Sequence, residues 1–261
     1  MTMRLDRVNF EVDGCLIIQN FSLEVIPGEI SVIIGPNGAG KSTALSLLCG
    51  DNMPTYGNVL LDGSPIVTLD TRYVARHRAV LPQLSQSNFS FTAFDIVRMG
   101  RIPHGEAPEH PNAIQIADHA MEETGTLSLK EQDMTTLSGG ERQRVNLARI
   151  LAQVWDGDRL LKIPKYLLLD EPISALDPKY QLHVLRLLKN YAKRGYGIAV
   201  VLHDMTMAAM FADKVYIMDE GECLYSGSPS EVMTAEVLSK IWQIPYRVQN
   251  IDGRLCPIIA V

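Results

Sequence analysis

Short apolar runs of strand length recur along this chain and alternate, in its first and last parts, with segments of helical period. Such runs, when glycine, proline or aspartate bounds them, are typical of buried strands. They predict strands at residues 5–12, 29–34, 58–61, 66–67, 78–81, 166–169, 197–202 and 214–218. Helices are predicted at residues 42–49, 178–194 and 205–212, and Asp-Gly pairs at 62–63 and 252–253 predict hairpin turns. This order favours an α/β fold with a parallel sheet.

A helical segment interrupts the alternation between about residues 85 and 159. Thr92 and Asp95 have the spacing of a capping box, and further helices are predicted at residues 112–124 and 138–154. The intervening loop is rich in proline, so we expect His104 and His110 to be solvated. Residues 1–261 are thus predicted to form a single domain, with a core of about residues 1–84 and 160–261 and an inserted, mostly helical subdomain of about residues 85–159.

The composition is that of a folded globular protein. Of the 261 residues, 46% are hydrophobic and 21% are charged, which excludes a disordered or collagen-like chain. Thirty Asp and Glu against twenty-four Lys and Arg give a net charge of −6, which disfavours nucleic acid as a partner. No apolar run approaches the roughly 20 residues of a membrane-spanning helix. Without a secretory signal pattern we expect the cytosol, and the four cysteines have no C-x-x-C spacing.

A glycine-rich loop follows the strand predicted at residues 29–34. Its sequence, GPNGAGKS, fits G-x-x-x-x-G-K-[ST], in which the glycines let backbone N–H groups point at phosphate oxygens. Lys41 would place a positive charge at the β- and γ-phosphates, and the Ser42 hydroxyl would complete the coordination of Mg²⁺. A loop that only turns the chain would leave the lysine and the glycines unexplained. The predicted nucleotide-binding residues are Gly35, Pro36, Asn37, Gly38, Ala39, Gly40, Lys41, Ser42 and Thr43.

Two adjacent carboxylates, Asp170 and Glu171, end the apolar strand predicted at residues 166–169. Successive side chains of an extended chain point in different directions, so Asp170 can face a metal ion while Glu171 faces a water molecule. We therefore assign Asp170 to Mg²⁺, through a water molecule, and Glu171 as general base. His203 follows the strand predicted at residues 197–202 and would contact the γ-phosphate or orient the water. Taken alone, such residues are more often a solvated strand end and a structural histidine.

A second anion site is predicted at the start of the helix at residues 138–154, in the sequence LSGGE. Ser138 alone could simply cap this helix. That interpretation leaves Gly139 and Gly140 unexplained, since glycine is unfavourable inside a helix, whereas a helix N-terminus rich in glycine binds anions well. The chain is therefore predicted to have two phosphate-binding helix ends.

The phosphate loop, the LSGGE sequence and the LLLDEP sequence at residues 167–172, in this order, resemble the nucleotide-binding subunits of ATP-binding cassette (ABC) transporters. The resemblance covers nearly the whole chain. It implies a P-loop NTPase (RecA-like) core with an inserted helical ABC subdomain, and an ATPase whose two copies enclose two ATP molecules with Mg²⁺. The signature residues of one copy would then meet the ATP held by Lys41 of the other; these residues are Ser138, Gly139, Gly140 and Glu141.

The same resemblance assigns further residues by motif position. Gln83 is similar to the family's hinge glutamine, which reaches Mg²⁺ and the attacking water, and His203 is similar to its switch histidine. Residues 174–177 are similar to its D-loop, in which Asp177 lies across the dimer. The catalytic residues implied are Glu171, His203 and Gln83, and the metal-binding residues are Ser42, Gln83 and Asp170. Val12 stands where the family usually has an adenine-stacking aromatic residue, with Phe10 nearby.

Three segments narrow the resemblance within the family. Residues 155–162 are similar to an extension in ATPase subunits of bacterial haem importers, and residues 75–80 and 91–105 are similar to the group of haem, ferric-siderophore and cobalamin importers. The resemblance thus implies haem uptake through a permease dimer at the cytoplasmic face of the inner membrane, with a periplasmic binding protein as an indirect partner. The alternatives are a ferric-siderophore or cobalamin importer, or a soluble ABC ATPase of an iron–sulfur assembly scaffold. A DNA-repair ATPase is disfavoured, because no long coiled coil lies between Lys41 and Leu137.

Overall fold

The computed structural model describes residues 2–83, 90–155, 163–251 and 253–260, and elements are numbered here in chain order. The strands are β1 (Met3–Val12), β2 (Cys15–Val25), β3 (Ile30–Ile34), β4 (Tyr56–Leu61), β5 (Ser64–Pro65), β6 (Arg78–Leu81), β7 (Lys165–Asp170), β8 (Tyr196–Val201), β9 (Lys214–Asp219), β10 (Glu222–Gly227), β11 (Tyr246–Ile251) and β12 (Arg254–Ile259). The α-helices are α1 (Lys41–Cys49), α2 (Thr71–His77), α3 (Ala93–Met99), α4 (Pro111–Glu123), α5 (Gly139–Val154), α6 (Pro178–Lys193), α7 (Met205–Phe211), α8 (Pro229–Val232) and α9 (Ala235–Trp242).

A six-stranded sheet in the order β10-β9-β3-β8-β7-β6 lies at the centre of the fold. The pairs from β9 to β6 are parallel, and β10 is an antiparallel edge strand. Every residue of β3, β7 and β8 is buried, as expected of a parallel sheet that is covered on both faces. Along β3, Val32 and Ile33 belong to different hydrophobic cores, one on each face of this sheet. The predicted α/β fold with a parallel sheet is confirmed.

A smaller antiparallel sheet, in the order β2-β1-β4-β5, packs on one of these cores together with α1. Strand β2 was not predicted from the sequence. Its pairing with β1 shifts register between Leu5 and Val8 and again on either side of Phe10. These irregularities interrupt the alternation of buried and exposed residues, which is the signal that identifies a strand in a sequence.

The hairpin turn at Asp62 and Gly63 is confirmed, but its second strand is Ser64–Pro65 rather than residues 66–67. Pro65 has no backbone N–H, so the ladder ends there and the chain continues into a 3₁₀ turn, Ile66–Thr68. Helix α2, which was not predicted, follows at Thr71. The side chain of Asp70 caps it by accepting a hydrogen bond from the backbone N–H of Tyr73 at 2.9 Å.

Between β6 and β7, the regular elements among the described residues are helices and 3₁₀ turns. The capping box of Thr92 and Asp95 is present at the start of α3, and α4 and α5 begin and end within a residue or two of their predicted limits. The described residues 90–155 contain no strand, although Thr92 and Asp133 form an isolated bridge. The predicted subdomain limits, residues 85 and 159, and the segment 156–162 lie outside the described residues, so the division into core and subdomain stays a prediction.

The loop that contains His104 differs from the prediction. His104 is half-buried, its Nε2 lies 2.7 Å from the carbonyl oxygen of Gln153 near the end of α5, and burial lowers its pKa. The expectation of a solvated His104 is therefore wrong. His110 is exposed and caps α4, since its Nδ1 accepts a hydrogen bond from the N–H of Asn112 at 3.2 Å.

The chain after β9 forms elements that the sequence only partly indicated. Strand β10 and helix α9 were not predicted, whereas the terminal hairpin of β11 and β12 pairs as expected up to Ile251 and Arg254. Its predicted turn residue Asp252 lies outside the described residues. Of the helices that the structure describes, none has the length and apolar character needed to cross a membrane.

Candidate functional site

The phosphate loop connects the carboxyl end of β3 to the start of α1. Gly40 is the N-cap residue of α1 and has φ +90°, and a Cβ atom on it would lie 2.8 Å from Cδ1 of Ile18. A Cβ atom on Gly35 would lie 2.1 Å from the carbonyl oxygen of Met218. At Gly35 the clashing atom is a backbone oxygen, which cannot yield, and at Gly40 the left-handed φ favours glycine, so each position favours glycine for its own reason. Gly40 offers no side-chain cap, which leaves the first N–H groups of α1 available to an anion.

These residues open onto a cavity of about 260 Å³ at the edge of the central sheet. The cavity is lined by Ile17, Asn37, Gly38, Gly40, Lys41, Ser42, Thr43, Glu171 and His203. Of the predicted nucleotide-binding residues, Gly35, Pro36 and Ala39 do not line it. Two of them shape it instead, because the carbonyl groups of Gly35 and Pro36 hold the side chain of Lys41.

The side chain of Lys41 folds back onto its own loop. It is only 6% exposed, and its Nζ donates hydrogen bonds to the carbonyl oxygens of Gly35 at 2.9 Å and Pro36 at 2.7 Å. Burial lowers the pKa of Lys41, and the charges of Glu171 and Asp170 oppose this shift. The two carbonyl oxygens therefore hold the ammonium group at the wall of the cavity.

Asp170, the last residue of β7, lies beside Ser42 at the start of α1. Asp170 is 7% exposed and accepts a hydrogen bond from the Ser42 hydroxyl, but among the described residues its Oδ1 has no hydrogen-bond partner. Burial raises the pKa of this carboxyl, and the Ser42 hydrogen bond partly offsets the shift. An orphaned carboxylate oxygen next to a hydroxyl fits Mg²⁺, which prefers oxygen ligands.

No group of three or more His, Cys, Asp or Glu among the described residues could hold a metal ion by itself. A metal ion at Ser42 and Asp170 would therefore need most of its ligands from phosphate oxygens and water. That is the usual arrangement for Mg²⁺ at nucleotide sites.

Glu171 follows the last residue of β7, and it lines the first cavity whereas Asp170 does not. Its Oε1 lies 2.5 Å from Nε2 of His203, the second residue beyond β8, and both side chains line the cavity. Glu171 also has φ +50°, a left-handed conformation that costs a residue other than glycine about 1–3 kcal/mol. Such strain is typical of functional sites, and here it turns the carboxylate towards the cavity.

Gln83 is exposed and lies two residues beyond the end of β6. Strand β6 pairs in parallel with β7, with Leu81 opposite Leu169. Gln83 is thus at the same edge of the sheet as Asp170, but it does not line the cavity.

The LSGGE sequence forms a second site at the N-terminus of α5. Ser138 caps the helix in a capping box with Glu141, whose pKa the hydrogen bonds from Ser138 lower. A Cβ atom on Gly140 would lie 2.9 Å from the carbonyl oxygen of Ala175, so Gly140 permits close packing against the loop that follows β7. Within one chain, Ser138 and Gly140 thus have local structural roles.

This second site borders its own cavity, of about 390 Å³. The cavity is lined by Ser138, Gly139, Gly140, Glu141, Arg144, Ala175, Leu176, Asp177 and Tyr180. Asp177 also caps α6, since its Oδ1 accepts a hydrogen bond from the N–H of Tyr180 at 3.3 Å. The two cavities share no lining residue. One chain therefore does not bring its phosphate loop and its LSGGE sequence together.

Sequence reasoning missed two residues near these cavities. Ile17 lines the first cavity, and its neighbour Ile18 pairs across the ladder with the half-buried Phe10. Val12 is instead exposed at the end of β1. The second missed residue, Gln143 of α5, is buried and bonded to the backbone of Glu171. Neither an isoleucine in an irregular strand nor a glutamine in a polar helix gives a sequence signal for a place near these cavities.

Comparisons with known proteins agree on one family. Residues 18–174 match the family model described as ABC transporter. The chain is 40% identical over 252 residues to the hemin import ATP-binding protein HmuV of Gloeobacter violaceus. The matched region covers 97% of this chain and 91% of that protein. It is 38% identical over 258 residues to the protein of the same name from Pseudomonas aeruginosa, with 99% of each covered.

Solved structures give a similar result. A metal-chelate type ABC transporter in an inward-facing conformation matches with a TM-score of 0.80 and 26% identity, over 99% of this chain and 96% of that chain. A dimeric ATP-binding cassette in a post-hydrolysis state, bound to ADP and phosphate, matches with a TM-score of 0.73 and 25% identity, over 87% of this chain and 98% of that chain.

Proposed function

Because this chain belongs to the ABC transporter family, we propose that it is the ATP-hydrolysing subunit of an importer that takes up haem. The observation that supports haem is the shared name of its relatives: hemin import ATP-binding proteins from several bacteria are 36–40% identical to it. The subunit would act at the cytoplasmic face of the inner membrane, bound to a permease dimer, with a periplasmic binding protein as an indirect partner. Ferric siderophore and cobalamin remain the alternative cargoes.

ATP would bind with its phosphates in the first cavity. Backbone N–H groups at the start of α1 would contact phosphate oxygens, and Lys41 would exchange its loop carbonyls for the β- and γ-phosphates. Ile17 lines this cavity and would lie near the nucleotide, whereas neither Phe10 nor Val12 lines it. Ser42 and Asp170 would hold Mg²⁺, together with Gln83 once the nucleotide is bound. Mg²⁺ would supply positive charge that stabilises the developing charge on the phosphates.

Hydrolysis would proceed by in-line attack of a water molecule on the γ-phosphate. Glu171 would accept the proton of this water, and His203 would keep the carboxylate oriented, as its contact with Oε1 supports. The negative charge that spreads over the γ-phosphoryl oxygens would be stabilised by Lys41 and by a helix N-terminus. Positioning and electrostatics supply most of the rate enhancement in phosphoryl transfer.

The helix N-terminus at the γ-phosphate would come from a second copy of this chain. The support is that the two cavities of one chain share no lining residue, although both have the character of anion sites. In a homodimer, Ser138, Gly139 and Gly140 of one copy would meet the ATP bound by the other, and Asp177 would lie across the interface. ATP would then favour the closed dimer because it contacts both copies only there, and hydrolysis would remove that preference.

The base assignment is tested with Glu171→Gln. This variant should bind ATP as tightly as the wild type but release phosphate at least about 100-fold more slowly, and it should accumulate as an ATP-bound dimer in size-exclusion chromatography. Glu131→Gln, which changes an exposed glutamate, is the matched control and should behave as wild type. Unchanged phosphate release by Glu171→Gln would refute the assignment.

The cargo is tested with the permease in proteoliposomes. Haem, a ferric siderophore and cobalamin are supplied on the side opposite the ATPase, and ATP-dependent uptake of each is measured with the wild type and with Glu171→Gln. Uptake of haem alone supports the proposal, whereas uptake of another cargo in its place overturns the haem assignment. Purification of the wild-type chain from solubilised membranes without any permease would favour an assembly-scaffold ATPase.

A further inference from the structure

Gln143 lies in the first turns of α5 and is buried, with 4% of its surface exposed. Its Nε2 donates a hydrogen bond to the carbonyl oxygen of Glu171 at 2.6 Å, and its Oε1 accepts one from the N–H of Ala175 at 3.3 Å. A backbone carbonyl can only accept and a backbone N–H can only donate, so the two partners fix the orientation of this amide. Both partners belong to the loop after β7.

The carbonyl that Gln143 holds belongs to a residue in an uncommon conformation. Glu171 has φ +50°, and a residue other than glycine stays in this region only when its surroundings hold it there. The hydroxyl and the N–H of Ser174 also donate to this carbonyl, at 3.1 and 3.3 Å, so the contact with Gln143 is the shortest of those described. The direction of the Glu171 carboxylate follows from the backbone that these bonds restrain.

The other partner, Ala175, links the same helix to the second cavity. Gly140 lies one turn before Gln143 on α5, and a Cβ atom on it would lie 2.9 Å from the carbonyl oxygen of Ala175. Gln143 and Gly140 therefore both contact Ala175, one through its N–H and one through its carbonyl. Helix α5 is thus fixed to the segment that carries Glu171 at one end and Asp177 at the other.

We propose that Gln143 is a positioning residue for ATP hydrolysis, which holds the backbone of Glu171 so that the carboxylate keeps the angle needed to accept a proton from water. This inference rests on the proposed role of Glu171 as general base. Gln143 does not line the cavity that would hold ATP, so it acts on the chemical step and not on nucleotide binding. A displacement of about 1 Å at a reacting group reduces turnover on the order of 100-fold.

The test compares Gln143→Leu, which removes both hydrogen bonds, with Gln143→Glu, in which only the protonated carboxyl can donate to the Glu171 carbonyl. We expect Gln143→Leu to lower kcat by about tenfold or more, with the Kd for ATP within about twofold of wild type. The kcat of Gln143→Glu, divided by that of the wild type at the same pH, should rise as the pH falls, because burial and the nearby Glu171 raise the pKa of the new carboxyl. Taking this ratio removes any pH dependence of kcat that the two proteins share.

Gln153→Leu is the matched control. Gln153 lies on the same helix and its amide also bonds two backbone carbonyls, those of Ala75 and Arg78, at 2.8 and 3.1 Å. Loss of the Gln153 amide should lower thermal stability about as much as Gln143→Leu does, while kcat per folded molecule stays within about twofold of wild type. If Gln143→Leu does not fold, the pH dependence of Gln143→Glu remains as the test.

The inference is wrong if Gln143→Leu keeps the kcat of the wild type, or if the kcat ratio of Gln143→Glu does not change with pH. These results differ from a failure of the proposed function. If the proposed function fails, the wild type would not hydrolyse ATP, or Glu171→Gln would retain full turnover. Neither of these results depends on which residue stands at position 143.

Discussion

The substitution Asp170→Asn should stabilise the nucleotide-free chain and at the same time abolish its stabilisation by MgATP. In the free chain, Asp170 is a buried carboxylate whose Oδ1 has no hydrogen-bond partner among the described residues. A buried unsatisfied polar atom costs about 1–3 kcal/mol, and a charged one costs more than a neutral one. The amide oxygen can still accept the hydrogen bond from Ser42 and the charge is removed, although the two N–H groups of the amide then need acceptors of their own.

Part of this gain is lost, because the charge of Asp170 also attracts the buried Lys41. We therefore expect a net gain of about 1 kcal/mol, which corresponds to a rise in Tm of about 2–4 °C for a chain of this size. With MgATP at about 100 times its Kd, the wild type should gain about 2.7 kcal/mol and the variant far less. The order of stability of the two proteins should thus reverse when MgATP is added.

The assay is thermal or urea unfolding of both proteins, with and without MgATP. Asp118→Asn, which removes the same charge from a half-exposed ion pair with Lys130, is the control and should keep the full response to MgATP. The reasoning fails if Asp170→Asn is less stable than the wild type without nucleotide. It fails equally if MgATP stabilises the variant as much as the wild type.

The difference in stability between Asp170→Asn and the wild type, both without nucleotide, should depend on pH in one direction. Burial raises the pKa of Asp170 above its ordinary value of 3.8, so the folded chain binds a proton at a pH where the unfolded chain has released it. The free-energy cost of burying the Asp170 charge is therefore present in full at pH values above the raised pKa, and it is absent below pH 3.8. The stability advantage of Asp170→Asn should shrink as the pH is lowered from neutral through this window.

Three further substitutions test other parts of the site and the fold. Lys41→Ala removes a charge from the phosphates and should weaken ATP binding about 10- to 100-fold in calorimetry; an unchanged Kd would contradict its role. Gly140→Ala places a Cβ atom 2.9 Å from the carbonyl oxygen of Ala175 and should lower phosphate release at least about tenfold without affecting ATP binding to a monomer; wild-type turnover would contradict it. Arg101→Met leaves the part-buried Glu106 without its ion pair and should cost about 3 kcal/mol in urea unfolding; a cost similar to that of an exposed pair, below about 1 kcal/mol, would contradict it.

Local patterns carried most of what the sequence predicted. The buried strands β3, β7 and β8 were found because a parallel sheet covered on both faces requires continuous apolar runs. The phosphate loop was found because its glycines, lysine and serine fall within the short sequence GPNGAGKS, directly after the apolar run of β3. Each of these signals lies within about ten residues, and so a single sequence contains it.

Features that depend on packing were missed for a physical reason. The half-buried position of His104 depends on the carbonyl of Gln153, 49 residues away. The bond from Gln143 to Glu171 spans 28 residues. Periodicity and spacing contain no information on such contacts, since they exist only once the helices have packed against the sheet.

The loop after β7 contributes residues to both cavities. Glu171 lines the cavity that would hold one ATP, and Ala175 and Asp177, a few residues later, line the cavity that would meet the other. Gln143 and Gly140 of α5 fix this loop through Ala175. A shift of α5 that follows contact with the nucleotide of a second copy must therefore move the Ala175 backbone, and through Gln143 the backbone of Glu171. Because turnover falls on the order of 100-fold for a displacement of about 1 Å, hydrolysis in one site should depend on whether the other site is closed.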